Sequence, residues 1–231
     1  MQSCGRGRPT PPSGSRETVR VQHDGDDRFA PGFFDRADPS PDTAFYGPPR
    51  FVTHIDDDAI AAVGEVYAEL GVTGTVLDLM GSWVSHFREP PAHLTVLGMN
   101  ANELSANSQA ETTVVHDLNL DPHLPFATGA FDAAVCCVSV DYLTRPVEVF
   151  ADVARALRPN APFVITFSNR CFPTKAIRAW LATSDAEHCE IVARYFSLAG
   201  GFGAATVEHR TPATHHGDPL FAVWARRLPV S

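Results

Sequence analysis

DLNLDPHLPFATGAFDAAVCCVSVDYLTRPVEVFADVARALRPNAPFVITFSNR, residues 117–170, holds two apolar runs on either side of one amphipathic segment. FDAAVCCVSV (131–140) and PFVITFSN (162–169) are continuous apolar stretches of strand length, the pattern of strands buried on both faces. Between them, residues 144–157 offer Thr144 as a cap and Pro146 in a first turn, with Phe150, Val153, Ala154 and Leu157 on one face. That spacing predicts a helix. Strand, helix and strand in this order form the unit of a parallel sheet covered by helices.

The same rhythm extends upstream. TVLDLM (75–80), HLTVLGMN (93–100) and TTVVHDL (112–118) read as three more strands. Ahead of them, Asp56, Asp57 and Asp58 precede Ile60, Val63, Val66, Tyr67 and Leu70, with Gly71 as a stop, which predicts a capped helix. Downstream the rhythm changes. A helix is expected from Asp185, with His188, Ile191, Val192, Tyr195, Phe196 and Ala199 along one stripe and Gly200-Gly201 closing it. GAATVEHR (203–210) and PLFAVWARR (219–227) follow with no room for a helix between them, so they should pair antiparallel. The expected fold is α/β: a doubly wound sheet of seven strands, five parallel and then an antiparallel terminal hairpin, with helices on both faces.

In an open α/β sheet, ligands bind beyond the carboxyl ends of the strands. Those ends carry Asp78-Leu79-Met80-Gly81-Ser82-Trp83-Val84-Ser85-His86, Gly98-Met99-Asn100 with Glu103, His116-Asp117-Leu118, Val138-Ser139-Val140-Asp141-Tyr142 and Ser168-Asn169-Arg170-Cys171. Asp78 is either a ligand or the cap of a helix that follows it, and Asp117 is either a ligand or a turn residue. His86 is a candidate base or a helix-surface residue. Arg170 is suited to a carboxylate, whereas Cys171 is read as part of a helix start at Pro173-Thr174.

With LPF, FDAAV and the LRP turn in place, residues 51–227 resemble the class I S-adenosylmethionine-dependent methyltransferases, in particular the small-molecule, type 11-like branch. The resemblance implies a Rossmann-like fold, S-adenosyl-L-methionine as cofactor and a small-molecule methyl acceptor. It implies cofactor contacts from Asp78, Met80, Gly81, Ser82, Asn100, Glu103, Asp117, Leu118 and Val138, and substrate contacts from His86, Asp141, Tyr142, Asn169 and Arg170. It identifies no catalytic residue. The glycine pattern after the first strand departs from the family, since Met80 and Ser82 stand where glycines are expected and Gly81 is one position out of phase. Asn100 stands where an acid should meet the ribose hydroxyls, and Glu103 is the nearby substitute. These departures motivate a second reading, a non-catalytic binding or partner subunit on the same fold. A nicotinamide oxidoreductase would need GxGxxG, which DLMGSWVS does not supply.

Composition narrows the rest. The chain has 231 residues, 44% hydrophobic and 19% charged, with a net charge of -9. It is long enough for one α/β domain, and its charge does not suit nucleic acid or an anionic membrane. Five cysteines without a CxxC pair argue against a disulfide framework. His215-His216 reads as a hairpin tip, with no second pair for a metal. No apolar run reaches transmembrane length, and the basic amino terminus has no apolar segment behind it, so a cytoplasmic protein is expected. Residues 1–44, rich in Pro, Gly, Ser and Asp, are expected to be a flexible extension, with Phe29, Phe33 and Phe34 as its apolar cluster, and residues 45–231 the domain. Oligomeric state is not legible.

Overall fold

The computed structural model describes residues 19–20, 29–211 and 216–229. Its strands are β1 (Val19–Arg20), β2 (Thr75–Leu79), β3 (His93–Gly98), β4 (Thr112–Val115), β5 (Ala133–Cys137), β6 (Pro162–Phe167), β7 (Thr206–His209) and β8 (Phe221–Arg226). The α-helices are α1 (Asp42–Tyr46), α2 (Asp57–Glu69), α3 (Ala101–Ala106), α4 (Pro146–Ala156), α5 (Arg178–Ala182) and α6 (Asp185–Ala199).

One sheet runs in the order β1-β7-β8-β6-β5-β2-β3-β4. β2 to β6 pair in parallel, and β8 enters antiparallel between β6 and β7. All seven expected strands are present, and the two residues of β1 add an antiparallel edge beside β7. Side chains alternate between two cores, as a period of two requires. Leu77, Leu79, Ala134, Cys136, Phe163, Ile165 and Phe167 pack on the face of α4 and α6. Val76, Ala133, Val135 and Val164 pack on the face of α2. Asp56 caps α2 by accepting from the Ala59 backbone N–H at 2.9 Å. Ser184 and Glu187 form a capping box on α6. No helix among the described residues is long and apolar enough to cross a membrane.

Three expectations are corrected. No helix lies between β2 and β3, or between β4 and β5. In the first gap Pro90-Pro91 breaks the backbone, and Phe87 packs on Tyr67, ring centroids 4.8 Å apart. In the second gap Pro122, Pro125 and Gly129 do the same. Asp78 and His86 therefore lie on no helix, and Asp78 caps none. Thr144 is likewise not the cap of α4: Arg145 holds that position, while the Thr144 N–H and hydroxyl both donate to Asn119 Oδ1, at 2.7 and 3.0 Å.

Residues 29–44 depart from a flexible extension. Phe29, Phe33 and Phe34 form a ring cluster at 4.6–4.9 Å that reaches Tyr195 of α6. The backbone is fixed beside it, with Arg178 N–H donating to Asp35 O at 2.7 Å and Ala179 N–H to Phe33 O at 3.1 Å. Aromatic burial of this kind offsets the ordering of a short segment that has no periodicity of its own. The other residues before 29, except 19 and 20, and His215 lie outside the described residues.

Candidate functional site

β2 is the switch point of the sheet, paired in parallel with β3 on one side and β5 on the other, and the main cavity opens beyond its carboxyl end as the topology requires. Directly after β2 the chain crosses β3 at close range. Gly81 N–H donates to Leu97 O at 2.9 Å, and a Cβ on Gly98 would stand 2.2 Å from Gly81 O. The glycines at 81 and 98 thus serve a backbone crossing, a contact between strand ends that the spacing of glycines along the sequence does not reveal.

Backbone strain gathers at the same place. Five non-glycine residues among those described have left-handed φ, and four of them, His54, Met80, His86 and Val138, line this cavity. Val138 at φ 45° is the least comfortable, because a β-branched side chain tolerates that region poorly. Strain retained in this way clusters at sites with work to do.

The cavity has a volume of about 310 Å³. All nine residues expected to meet the cofactor line it: Asp78, Met80, Gly81, Ser82, Asn100, Glu103, Asp117, Leu118 and Val138. Of the expected substrate residues, His86, Tyr142 and Arg170 line it too, but Asp141 and Asn169 do not. Asn169 is exposed to solvent. Asp141 is 2% exposed behind Tyr142, its Oδ2 has no hydrogen bond, and burial pushes its pKa up to about 8.

What the sequence reading missed is the wall supplied by the amino-terminal segment. Asp42, Tyr46, Arg50, Val52, Thr53 and His54 all face the cavity. Glu103 holds this wall, accepting from Arg50 N–H and from the Ser82 hydroxyl, each at 2.6 Å. Trp83 Nε1 donates to Val52 O at 3.0 Å. Asn100 does more. Its amide oxygen accepts from the N–H groups of Asn102 and Glu103, capping α3, and its Nδ2 donates to Tyr46 O at 2.9 Å and Gly47 O at 2.8 Å. Both protons and both lone pairs are engaged, so the ribose role expected of Asn100 is replaced by a clamp on residues 46–47. The segment's only early signals were Phe45, Tyr46 and Phe51, aromatic residues without a period.

A substitution separates the two roles. Asn100→Asp restores the acid that a ribose site prefers, but it removes both donors to the clamp and places a carboxylate against two carbonyl oxygens. We expect about a tenfold loss of adenosyl-ligand affinity and faster proteolysis of residues 29–54. Tighter ligand binding by the variant in calorimetry would restore the ribose assignment.

Electrostatics distinguishes the remaining groups. Asp78 is 3% exposed at the cavity base, where burial raises its pKa to about 7 against the opposing hydrogen bond from Ser85. Burial lowers His86 to about 4, helped by neighbouring His54, which is itself lowered by burial. Burial therefore favours the neutral form of both imidazoles. Cys171 is pushed up, first by burial and then by Asp141, so it is an inert thiol and not a nucleophile. Asp117 is a turn residue at the cavity wall. Its Oδ1 accepts from Asn119 and Leu120 N–H at 3.0 and 3.2 Å while the residue lines the cavity. The lining therefore offers carboxylates at three strand ends, neutral imidazoles and an aromatic wall, an arrangement for holding and orienting small molecules.

Residues 79–165 match the methyltransferase domain family model. No curated protein sequence matches the chain. The fold is similar to the cyclase SpnF, with TM-score 0.54 and 16% identity over 82% of this chain and 92% of that one. It is also similar to a SAM-dependent methyltransferase from Thermotoga maritima, TM-score 0.52 and 13% identity over 74% and 91%. A SAM-dependent methyltransferase from Aquifex aeolicus gives TM-score 0.50 and 15% identity over 76% and 92%. At these identities the likeness concerns the fold.

Proposed function

We infer, from residues 79–165 belonging to the methyltransferase domain family, that this chain transfers a methyl group from S-adenosylmethionine to a small molecule. The observation that carries the reading is Asp78, a buried carboxyl at the switch point with one hydroxyl partner and a raised pKa. Such a group gains most when a cation is brought to it, and the α-ammonium of the cofactor is one. Met80, Gly81 and Ser82 would border the methionyl part, Glu103 the ribose, and Asp117 and Leu118 the adenine, with Val138 beside the sulfonium. Asn100 would act on the site only through the clamp.

The cofactor supplies a methyl group on an activated sulfonium, so positioning can provide most of the catalysis. This chain's residues then have three tasks. Tyr46, Tyr142 and Phe172 form a continuous aromatic wall, with Tyr46–Tyr142 centroids at 6.4 Å and Tyr142–Phe172 at 5.9 Å, and it orients the acceptor. The amino-terminal segment excludes water. The neutral His86 imidazole accepts a hydrogen bond from the acceptor when that is a hydroxyl or a thiol, and so orients it. The fold alone does not fix the chemistry, as the cyclase on the same fold illustrates.

Calorimetric titration with S-adenosylmethionine, S-adenosylhomocysteine and NADH tests the reading. We expect micromolar binding of the first two alone, and Asp117→Ala to weaken it about tenfold. Absence of binding would overturn the cofactor assignment and favour the non-catalytic subunit that the altered glycine pattern suggests.

A further inference from the structure

We propose that the acceptor is a small aromatic molecule carrying a carboxylate, its ring against Phe172, Tyr142 and Tyr46 and its carboxylate held by Arg50 and Arg170. The proposal rests on the methyltransferase reading and specifies the substrate class for that cavity.

Two guanidinium groups face a single cavity in a chain whose net charge is -9, and among the described residues each keeps nitrogens without a hydrogen bond. Arg50 lies over the Phe45 ring at 4.4 Å and 5.7 Å from the Phe172 centroid. Its one guanidinium hydrogen bond is long, 3.4 Å to Pro48 O. No carboxylate among the described residues pairs with it: Glu103 meets the Arg50 backbone N–H instead. Arg170 is tethered only through Nε, which donates to Asp218 Oδ1 at 2.7 Å, while Asp218 Oδ2 accepts from Asp56 N–H at 3.1 Å. That tether fixes the plane of the guanidinium and leaves both terminal nitrogens without a hydrogen bond among the described residues. A planar fork held in this way suits a carboxylate.

The acids of the cavity do not compete for these groups. Asp42 is paired with Arg36 and Lys175, Asp117 caps its own turn, and Glu103 is held by Ser82 and the Arg50 backbone. Phe172, two residues after Arg170 in the chain, lines the same cavity and is in ring contact with both His54, at 5.3 Å, and Tyr142. The arrangement is an aromatic face beside one arginine without a carboxylate partner among the described residues, Arg50, and a second, Arg170, whose terminal nitrogens make no hydrogen bond among them. It matches a flat ring with a carboxylate at its edge, and a neutral acceptor would leave Arg50 without a counter-charge.

The test is calorimetry on the full chain. S-adenosylhomocysteine is titrated first, which reads the methyltransferase assignment by itself. Hydroxybenzoates and hydroxycinnamates are then titrated into the saturated protein, each beside its neutral amide. We expect the acids to bind about tenfold more tightly than the amides. Arg50→Met and Arg170→Met should each reduce acid affinity about tenfold and leave the amides and S-adenosylhomocysteine unchanged. Arg50→Lys should recover only part of it, because the charge returns without the fork. Equal affinity of acid and amide, or no binding of any acid in the panel, overturns the proposal. So does an Arg50→Met variant that weakens S-adenosylhomocysteine, since Arg50 would then serve the cofactor's carboxylate. Unchanged thermal midpoints establish that the variants are folded.

Discussion

Lys175→Met will loosen residues 29–54 from the domain and open one wall of the cavity. Lys175 is the only lysine in the chain and is fully buried. Its Nζ stands 3.0 Å from Asp38 Oδ2 and 3.3 Å from Asp42 Oδ1, and it donates to Ser40 O at 2.8 Å. Asp42, 5% exposed, also receives two bonds from Arg36, at 2.7 and 2.9 Å, and one from Asn119 at 2.8 Å. Burial opposes the ionised form of Asp42, but the bonds from Arg36 and Asn119 outweigh it and its pKa is lowered. Methionine matches the lysine stem and removes the ammonium, which takes one cation from Asp42 and the donor from Ser40 O and Asp38 Oδ2. Breaking one side of a buried ion pair costs about 3 kcal/mol. We expect a thermal midpoint lower by roughly 6–12 °C, faster hydrogen exchange across residues 29–54, and weaker S-adenosylhomocysteine binding. Unchanged exchange in this segment together with unchanged affinity would show that Lys175 does not anchor the wall.

Asp78→Asn will do the reverse to stability while abolishing cofactor binding. The folded pKa of Asp78, about 7, lies above its ordinary value of 3.8. Between these values the unfolded chain holds fewer protons, so stability falls as pH rises from about 4 to 7 and stays lower above that window. Asparagine resembles the neutral carboxyl and escapes this cost. At pH 8 the variant should melt several degrees above wild type, and the difference should close near pH 4. Asp141, raised to about 8 by burial, contributes with the same sign, so the free protein should be more stable at pH 5.5 than at pH 8.5. Loss of the buried carboxylate that we propose meets the cofactor's ammonium should reduce cofactor affinity at least about fiftyfold. A variant that melts no higher than wild type at pH 8, or that still binds the cofactor, would mean that the carboxyl is not held ready for a cation.

These two outcomes would separate two kinds of buried acid in one cavity. Asp42 already has its cations, and removing one is destabilising. Asp78 has none among the described residues, and removing its charge is a relief until the ligand is added. A carboxyl retained at a stability cost and facing a cavity is a candidate for function.

The residues alone determined the strands, the hairpin and the strand-end acids. Apolar runs bounded by turns placed β2 to β6 and α4 and α6, because burial along one element repeats at the element's own period. Asp78 and Asp117 followed from position, since parallel strands deliver their carboxyl ends to one edge. The tertiary structure decided how the side chains there are used. Asn100 meets Tyr46 O across 54 residues and Glu103 meets Arg50 N–H across 53, and no local period records a bond of that span. Whether an amide is saturated, whether Lys175 is buried, and whether Arg50 and Arg170 share a cavity depend on which distant backbone groups arrive beside them. The amino-terminal segment was illegible for the same reason: it has no amphipathic period, and its order comes from rings and ion pairs supplied by α6 and by residues 172–178.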